Sequence, residues 1–161
     1  AFLLVGSLIY FHGPNGNLHI KNILISPKTI DKLDAKHDVM AIKNINYTSF
    51  DYQKNQWKSS VVSLPQYAQF YANIENLKTV INPKEIEESS RAFSQANSLE
   101  FYINSQVQSK ELLQEIQFSQ QEIGLFRVKL YNSREGEKWV YFNSPQAVSK
   151  ALQLFEDSAS L

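Results

Sequence analysis

The sequence predicts a single α+β domain: an antiparallel sheet built from hairpins, with helices packed on one face. Three observations lead there. Over 125–142, Phe126, Val128 and Leu130 alternate with Arg127, Lys129 and Tyr131, the period-two pattern of a strand with one side in a core. The polar run 132–137, with Gly136 inside it, then reverses the chain into the aromatic and β-branched run 139–142, so the two runs form a hairpin. Ser144-Pro145 follows as a helix cap and first helical residue, and Val148, Ala151, Leu152 and Phe155 repeat at helical spacing as one apolar stripe.

The N-terminal run 1–11 is apolar and uncharged and is closed by His12-Gly13-Pro14-Asn15-Gly16. It is shorter than the ~20 residues of a full membrane span. Two readings follow, and they set the domain plan of an apolar segment over 1–11 and a globular α+β domain over 12–161. In one, 1–11 is an edge strand that turns at 13–17 into a second strand through Leu18, Ile20 and 23–25. In the other it is the outer end of a signal anchor or single span that begins upstream, because the run lacks alternation and the first residue is not Met. The second reading is the one carried forward, and it places the protein at a membrane or outside the cytoplasm.

Ser26-Pro27 opens a short helix through Ile30 and Leu33, ending in the charged run 34–38. From Val39 the chain is expected to be extended through Ile45, Tyr47, Phe50 and Tyr52, to turn at 53–56 and to return from Trp57 to Leu64. The apolar alternation slips between Tyr47 and Phe50, and a bulge there would reconcile the registers. Pro65 closes the strand, and Tyr67, Phe70, Tyr71, Ile74, Leu77 and Ile81 fall on helical spacing. Asn82 and Glu85 have capping-box spacing for a helix reaching Phe93. Leu99, Phe101 and Ile103 alternate as a strand, and 109–116 is expected as another helix. This mixed order, with hairpins and no strict strand–helix alternation, favours α+β over a doubly wound sheet.

At 161 residues the chain is long enough to bury roughly 70% of its unfolded surface. Cysteine is absent, which removes disulfides, thiolate metal sites and cysteine nucleophiles together. Sixteen Lys and Arg balance sixteen Asp and Glu. Residues 1–80 hold eight basic and five acidic side chains and 81–161 hold eight and eleven, an offset of plus three against minus three. With no strong field, a nucleic-acid role is disfavoured.

No motif for phosphate binding, a nucleophile elbow or a zinc-binding helix is present. His12, His19 and His37 lack the mutual spacing that puts two imidazole ligands on one helix face, so with Asp34 and Asp38 beside them they read as surface or turn residues. Glu85, Glu87 and Glu88 suit the positive end of a helix, and Glu135 and Glu137 alternate with Arg134 and Lys138 in a turn. No catalytic, metal or cofactor residue is assigned. Asn46-Tyr47-Thr48 has the form of a glycosylation site but lies in an expected strand.

Aromatic residues are the remaining signal. Tyr67, Phe70 and Tyr71, together with Trp57 and Trp139 at the start of the two return strands, are the candidate partner-binding residues. The same five would equally serve as core and cross-strand packing. In layout, a short apolar run followed by one domain, the chain resembles the extracytoplasmic part of small single-span proteins. The reading adopted is a non-enzymatic interaction or assembly module with a protein partner, tethered through 1–11. The alternative is a soluble small-ligand-binding or enzymatic domain with an aromatic-lined pocket, its polar contacts drawn from Tyr47, Tyr52, Arg127 or Tyr141.

Overall fold

The computed structural model describes residues 19–35, 42–79, 91–103, 111–130 and 139–156. Among these, six strands form one antiparallel sheet and three helices pack against it, the expected α+β architecture. The expected apolar segment 1–11, the turn 132–137 and most of the helix over 82–93 lie outside the described residues. In chain order the elements are α1 (Pro27–Ala35), β1 (Ile42–Asp51), β2 (Gln56–Val62), α2 (Leu64–Ile74), β3 (Asn97–Ile103), β4 (Glu111–Phe118), β5 (Leu125–Lys129), β6 (Trp139–Asn143) and α3 (Pro145–Ala151). The sheet order is β2-β1-β3-β4-β5-β6, so β1–β2 is a hairpin and β3 to β6 form a meander.

All three helices start on the same local chemistry, a serine cap with proline in the first turn. Ser26 Oγ accepts from the Thr29 amide at 3.1 Å, and Ser144 Oγ accepts from the Ala147 amide at 3.2 Å. Ser63 caps α2 with a full capping box, in which Gln66 Oε1 accepts from the Ser63 amide at 3.0 Å while Ser63 Oγ accepts from the Gln66 amide at 3.2 Å. The helix therefore begins at Leu64, earlier than Pro65 alone suggests. It ends at Ile74, and Leu77, which follows the helical spacing, lies beyond it.

One face of the sheet is buried. Tyr47, Leu99, Ile116 and Val128 lie side by side across β1, β3, β4 and β5, and Phe118, Phe126 and Phe142 form the next row. Tyr67, Phe70 and Ile74 of α2 and Val148 of α3 are fully buried over them. Aromatic rings knit the layers: Tyr67 meets Phe101 edge-on at 5.0 Å, Phe70 meets Phe118 at 5.6 Å, and Phe126 stacks on Phe142 at 5.0 Å. A π-helical turn, Leu152–Glu156, continues α3 and brings Phe155 to 5.5 Å from both Tyr47 and Phe70.

Three local expectations change. Of the helix expected over 109–116, the described residues 111–116 are strand: Glu111–Phe118 is β4, paired with β3 and β5. Its leucines and charged residues favour a helix locally, but pairing on both sides overrides that preference, and the polar Gln114 at a core position hides the alternation. In the stretch expected as a strand through Ile20, the described residues form a 3-10 turn, Ile20–Asn22, and His19 makes an isolated bridge to Lys78. No bulge separates Tyr47 from Phe50, because Ser49 takes the inward position and Phe50 points to the other face. Irregular pairing falls instead between Ile42 and Asn44 and between Phe101 and Tyr102.

Gln114 has a structural reason to be buried. The segment 20–26 crosses the core with backbone groups that need partners. Gln114 Nε2 donates to Ile23 O at 2.8 Å and Lys129 O at 3.3 Å, and its Oε1 accepts from the Ile25 amide at 3.0 Å. The buried Tyr67 hydroxyl donates to Ile25 O, and the Ile20 amide donates to Leu77 O at 3.0 Å.

Two stability predictions follow. Gln114→Leu should destabilise the fold by about 2–3 kcal/mol, because it strands the backbone groups of Ile23 and Ile25. A urea midpoint within error of the parent would remove this role. Gly124 has φ +70°, and a Cβ there would sit 2.7 Å from Pro145 Cγ and 3.0 Å from Pro145 Cα. Gly124→Ala should therefore cost roughly 1–3 kcal/mol. An unchanged melting temperature would show that the contact relaxes at no cost.

Candidate functional site

The face of the sheet opposite the helices carries the polar and charged strand residues. Its register is continuous: Ser59, Thr48, Ser98, Gln117, Arg127 and Tyr141 lie in one row across all six strands. Asn46, Glu100 and Glu115 lie in the adjacent row.

Two clusters stand on this face, one toward each edge. At the β6 edge, Arg127 donates from Nε and Nη2 to Gln117 Oε1, at 2.8 and 2.5 Å, and from Nη1 to the Tyr141 hydroxyl at 3.3 Å. Its Cζ lies over the rings of Phe93 and Trp139, 4.6 and 4.2 Å from their centroids, with the Tyr141 ring at 5.9 Å. Phe93 reaches this position from the turn after Arg91, where the Ser94 amide bonds Arg91 O and Gln95 takes a left-handed φ of 53°. At the other edge, the β1–β2 hairpin turns through residues 52–55 with Asn55 at φ 53°. Phe50 meets Tyr52 edge-on at 5.0 Å and Trp57 at 5.2 Å.

Between the clusters, Glu100 and Glu115 are direct cross-strand neighbours, an arrangement that costs energy unless the charges are solvated or bonded. Thr48 Oγ1 donates to Glu100 Oε1 at 2.6 Å, Tyr102 donates to Glu100 Oε2 at 2.8 Å, and Gln117 Nε2 donates to Glu115 Oε1 at 3.2 Å. Partial burial, the hydrogen bond to Glu100 and the nearby charges of Glu100 and Glu115 push the Tyr102 phenol up to about 12. Tyr67 is also raised, chiefly by burial, as is Tyr47, where burial acts with the Glu156 charge.

The residues singled out from sequence are distributed between core and surface. Tyr67 and Phe70 are fully buried and Tyr71 is nearly so, all against the helix-covered face, which is the packing role the sequence also allowed. Trp57 is exposed on the outward face, and Trp139 is half-buried beside Arg127. Of the four polar contacts considered for a pocket, Arg127 and Tyr141 meet, whereas Tyr47 lies in the core and Tyr52 at the hairpin tip. Phe93 and Gln117 belong to the Arg127 cluster but gave no signal in sequence, because pairing register and the path of a turn decide their place. Among the described residues no group of three His, Asp or Glu is placed to hold a metal ion. His19 buries its Nδ1 without a hydrogen-bond partner, and His12 and His37 lie outside the described residues.

Comparison of the chain with protein-family models, with curated proteins and with solved structures finds no match in any of the three.

The tyrosines make stability depend on alkaline pH with a definite sign. A folded-state pKa above the unfolded value of about 10 means that the folded protein keeps protons the unfolded chain releases, so the contribution is complete below pH 10 and falls as pH rises toward about 12. Tyrosinate absorbance should therefore show a late-titrating class, and Tyr102→Phe should remove the component near 12 while leaving the buried tyrosines silent until the fold opens. A titration in which every tyrosine ionises at about 10 would contradict this placement.

Proposed function

We propose that the protein is a non-enzymatic interaction module that engages a protein partner through the outward side of its β1–β2 hairpin, held at a membrane by the apolar run 1–11. The observation that carries the reading is the gathering of large apolar side chains in the open on this one hairpin. Tyr52 is 69% exposed, Trp57 51% and Val61 71%. Trp57 and Val61 share the outward parity of β2, and Phe50 packs beneath the two rings. Keeping three such side chains in water is costly, and tyrosine and tryptophan are the residues that most often anchor protein interfaces.

The edge position adds to this. β2 ends the sheet, and among the described residues no strand pairs with its outer side. An edge with unpaired backbone groups is a template for a further strand, and Lys58, exposed on the opposite parity, is the kind of charge that restrains indiscriminate pairing. Among the described residues no helix is long and apolar enough to cross a membrane, and the tether is proposed on the apolar run 1–11.

Site-specific photo-crosslinking in the native host tests the docking surface. A photoreactive residue at position 57 or 61 of the full chain should give one discrete adduct, and the same residue at Lys28 of α1 should give none. Trp57→Ala with Tyr52→Ser should reduce that adduct, formed from position 61, about tenfold, while stability stays within about 1 kcal/mol of the parent, as expected for exposed positions. Absence of a discrete adduct from either position, or equal labelling from Lys28, would end the docking proposal. Recovery of the native chain wholly in the soluble fraction would end the tether separately.

A further inference from the structure

The Arg127 cluster, at the far side of the sheet from the hairpin, has binding capacity that its own neighbours leave unused. A guanidinium carries five N–H donors in one plane. Three are engaged: Nε–H and one proton of Nη2 face Gln117 on β4, and one proton of Nη1 faces Tyr141 on β6. Among the described residues the other two donors, one on each Nη, meet no acceptor. Gln117 and Tyr141 stand opposite Arg127 on the two neighbouring strands, so the flanks of the group are taken from both sides and its end is left for an incoming acceptor.

That pair is the arrangement a carboxylate accepts with both oxygens. Among the described residues no carboxylate meets Arg127. Glu100 spends its two oxygens on Thr48 and Tyr102, and Glu115 accepts from Gln117. The group is held in advance: Gln117 and Tyr141 fix its plane, and Phe93 and Trp139 stack on it, so little rotamer entropy is lost when a ligand arrives. The half-buried Trp139 ring also supplies an apolar wall beside the fork, with the buried Phe93 ring behind the group. Glu100 and Glu115 nearby penalise a doubly charged anion more than a singly charged one.

We propose that the end of the Arg127 fork, between Phe93 and Trp139, is a binding site for a single carboxylate carried on an apolar or aromatic body. Such a group occurs on free aromatic acids and at the end of a peptide chain, and the two sources can be told apart by probe.

The test is a titration of the full chain, followed by the Arg127 Nε–H and Trp139 indole N–H resonances, with benzoate, N-acetylphenylalanine, benzamide and inorganic phosphate. Benzoate or N-acetylphenylalanine should shift both resonances saturably, with a Kd on the order of 1 mM. The tighter of the two identifies the source as a free acid or a chain end. Benzamide, which has the same shape without the charge, should leave them unmoved. Arg127→Lys keeps the charge and loses the fork, and should weaken binding about tenfold. Tyr141→Phe frees one flank of the guanidinium and should weaken it by a few-fold, and it serves where the lysine variant fails to fold. Four results would overturn the site: no saturable shift with either acid, equal shifts with benzamide, undiminished affinity in a folded Arg127→Lys protein, or phosphate binding more tightly than both acids.

Discussion

The structure depends on one register carried across six strands. Because side chains alternate strictly along a strand, the pairing that sets Tyr47 beside Leu99, Ile116 and Val128 also sets Thr48 beside Ser98, Gln117 and Arg127. A slip of one residue in any ladder would exchange core for surface along that whole strand. The irregular pairings sit near the ends of β1 and β3, past the rows that carry Tyr47 and Thr48. Buried aromatics hold the register from the helix side: Phe101, Phe118 and Phe126 each meet a ring from another element, so sliding one strand would break contacts in several directions at once.

The same register explains why polar groups occur at depth. Closing the core over the sheet brings the segment 20–26 across β4, and that segment contributes almost no regular structure of its own. Its amides and carbonyls are met by a glutamine and a tyrosine reaching from elements far away in sequence. Gln114 is therefore a structural residue with a polar side chain, and its burial belongs to backbone satisfaction rather than to chemistry. The glutamates of the outward face are likewise held by neighbouring hydroxyl and amide donors, so their proximity has an account in the fold itself.

Much of this was legible in the sequence where a pattern is local. Serine before proline marks α1 and α3, and the alternations at 125–130 and 99–103 give β5 and β3. Aromatic runs returning from polar turns give β2 and β6. What was not legible depends on partners. The stretch containing Gln114 resembles a helix until its neighbours are known, and Phe50 looked like a core residue until Ser49 was found at the inward position. For Tyr67, Phe70 and Tyr71 the spacing showed a helical face without showing what lies on it. At the Arg127 cluster, alternation placed Arg127 outward, but Gln117 opposite it follows from register and Phe93 above it from the path of a turn.

The approach of Gly124 to Pro145 bears on how this chain can vary between related molecules. The Ser144 amide also donates to Gly124 O at 2.9 Å, so the last residue of the β4–β5 loop doubles as the seat of the C-terminal helix. Residues 120–123 of that loop are exposed, yet Gln120 O accepts from the Ile123 and Gly124 amides at 3.0 and 3.1 Å, and Gln121 Nε2 donates to Ser149 Oγ of the same helix at 3.1 Å. A change of length within 120–123 would thus reach the helix as well as the turn, and a side chain acquired at 124 would be felt first as a lifted helix.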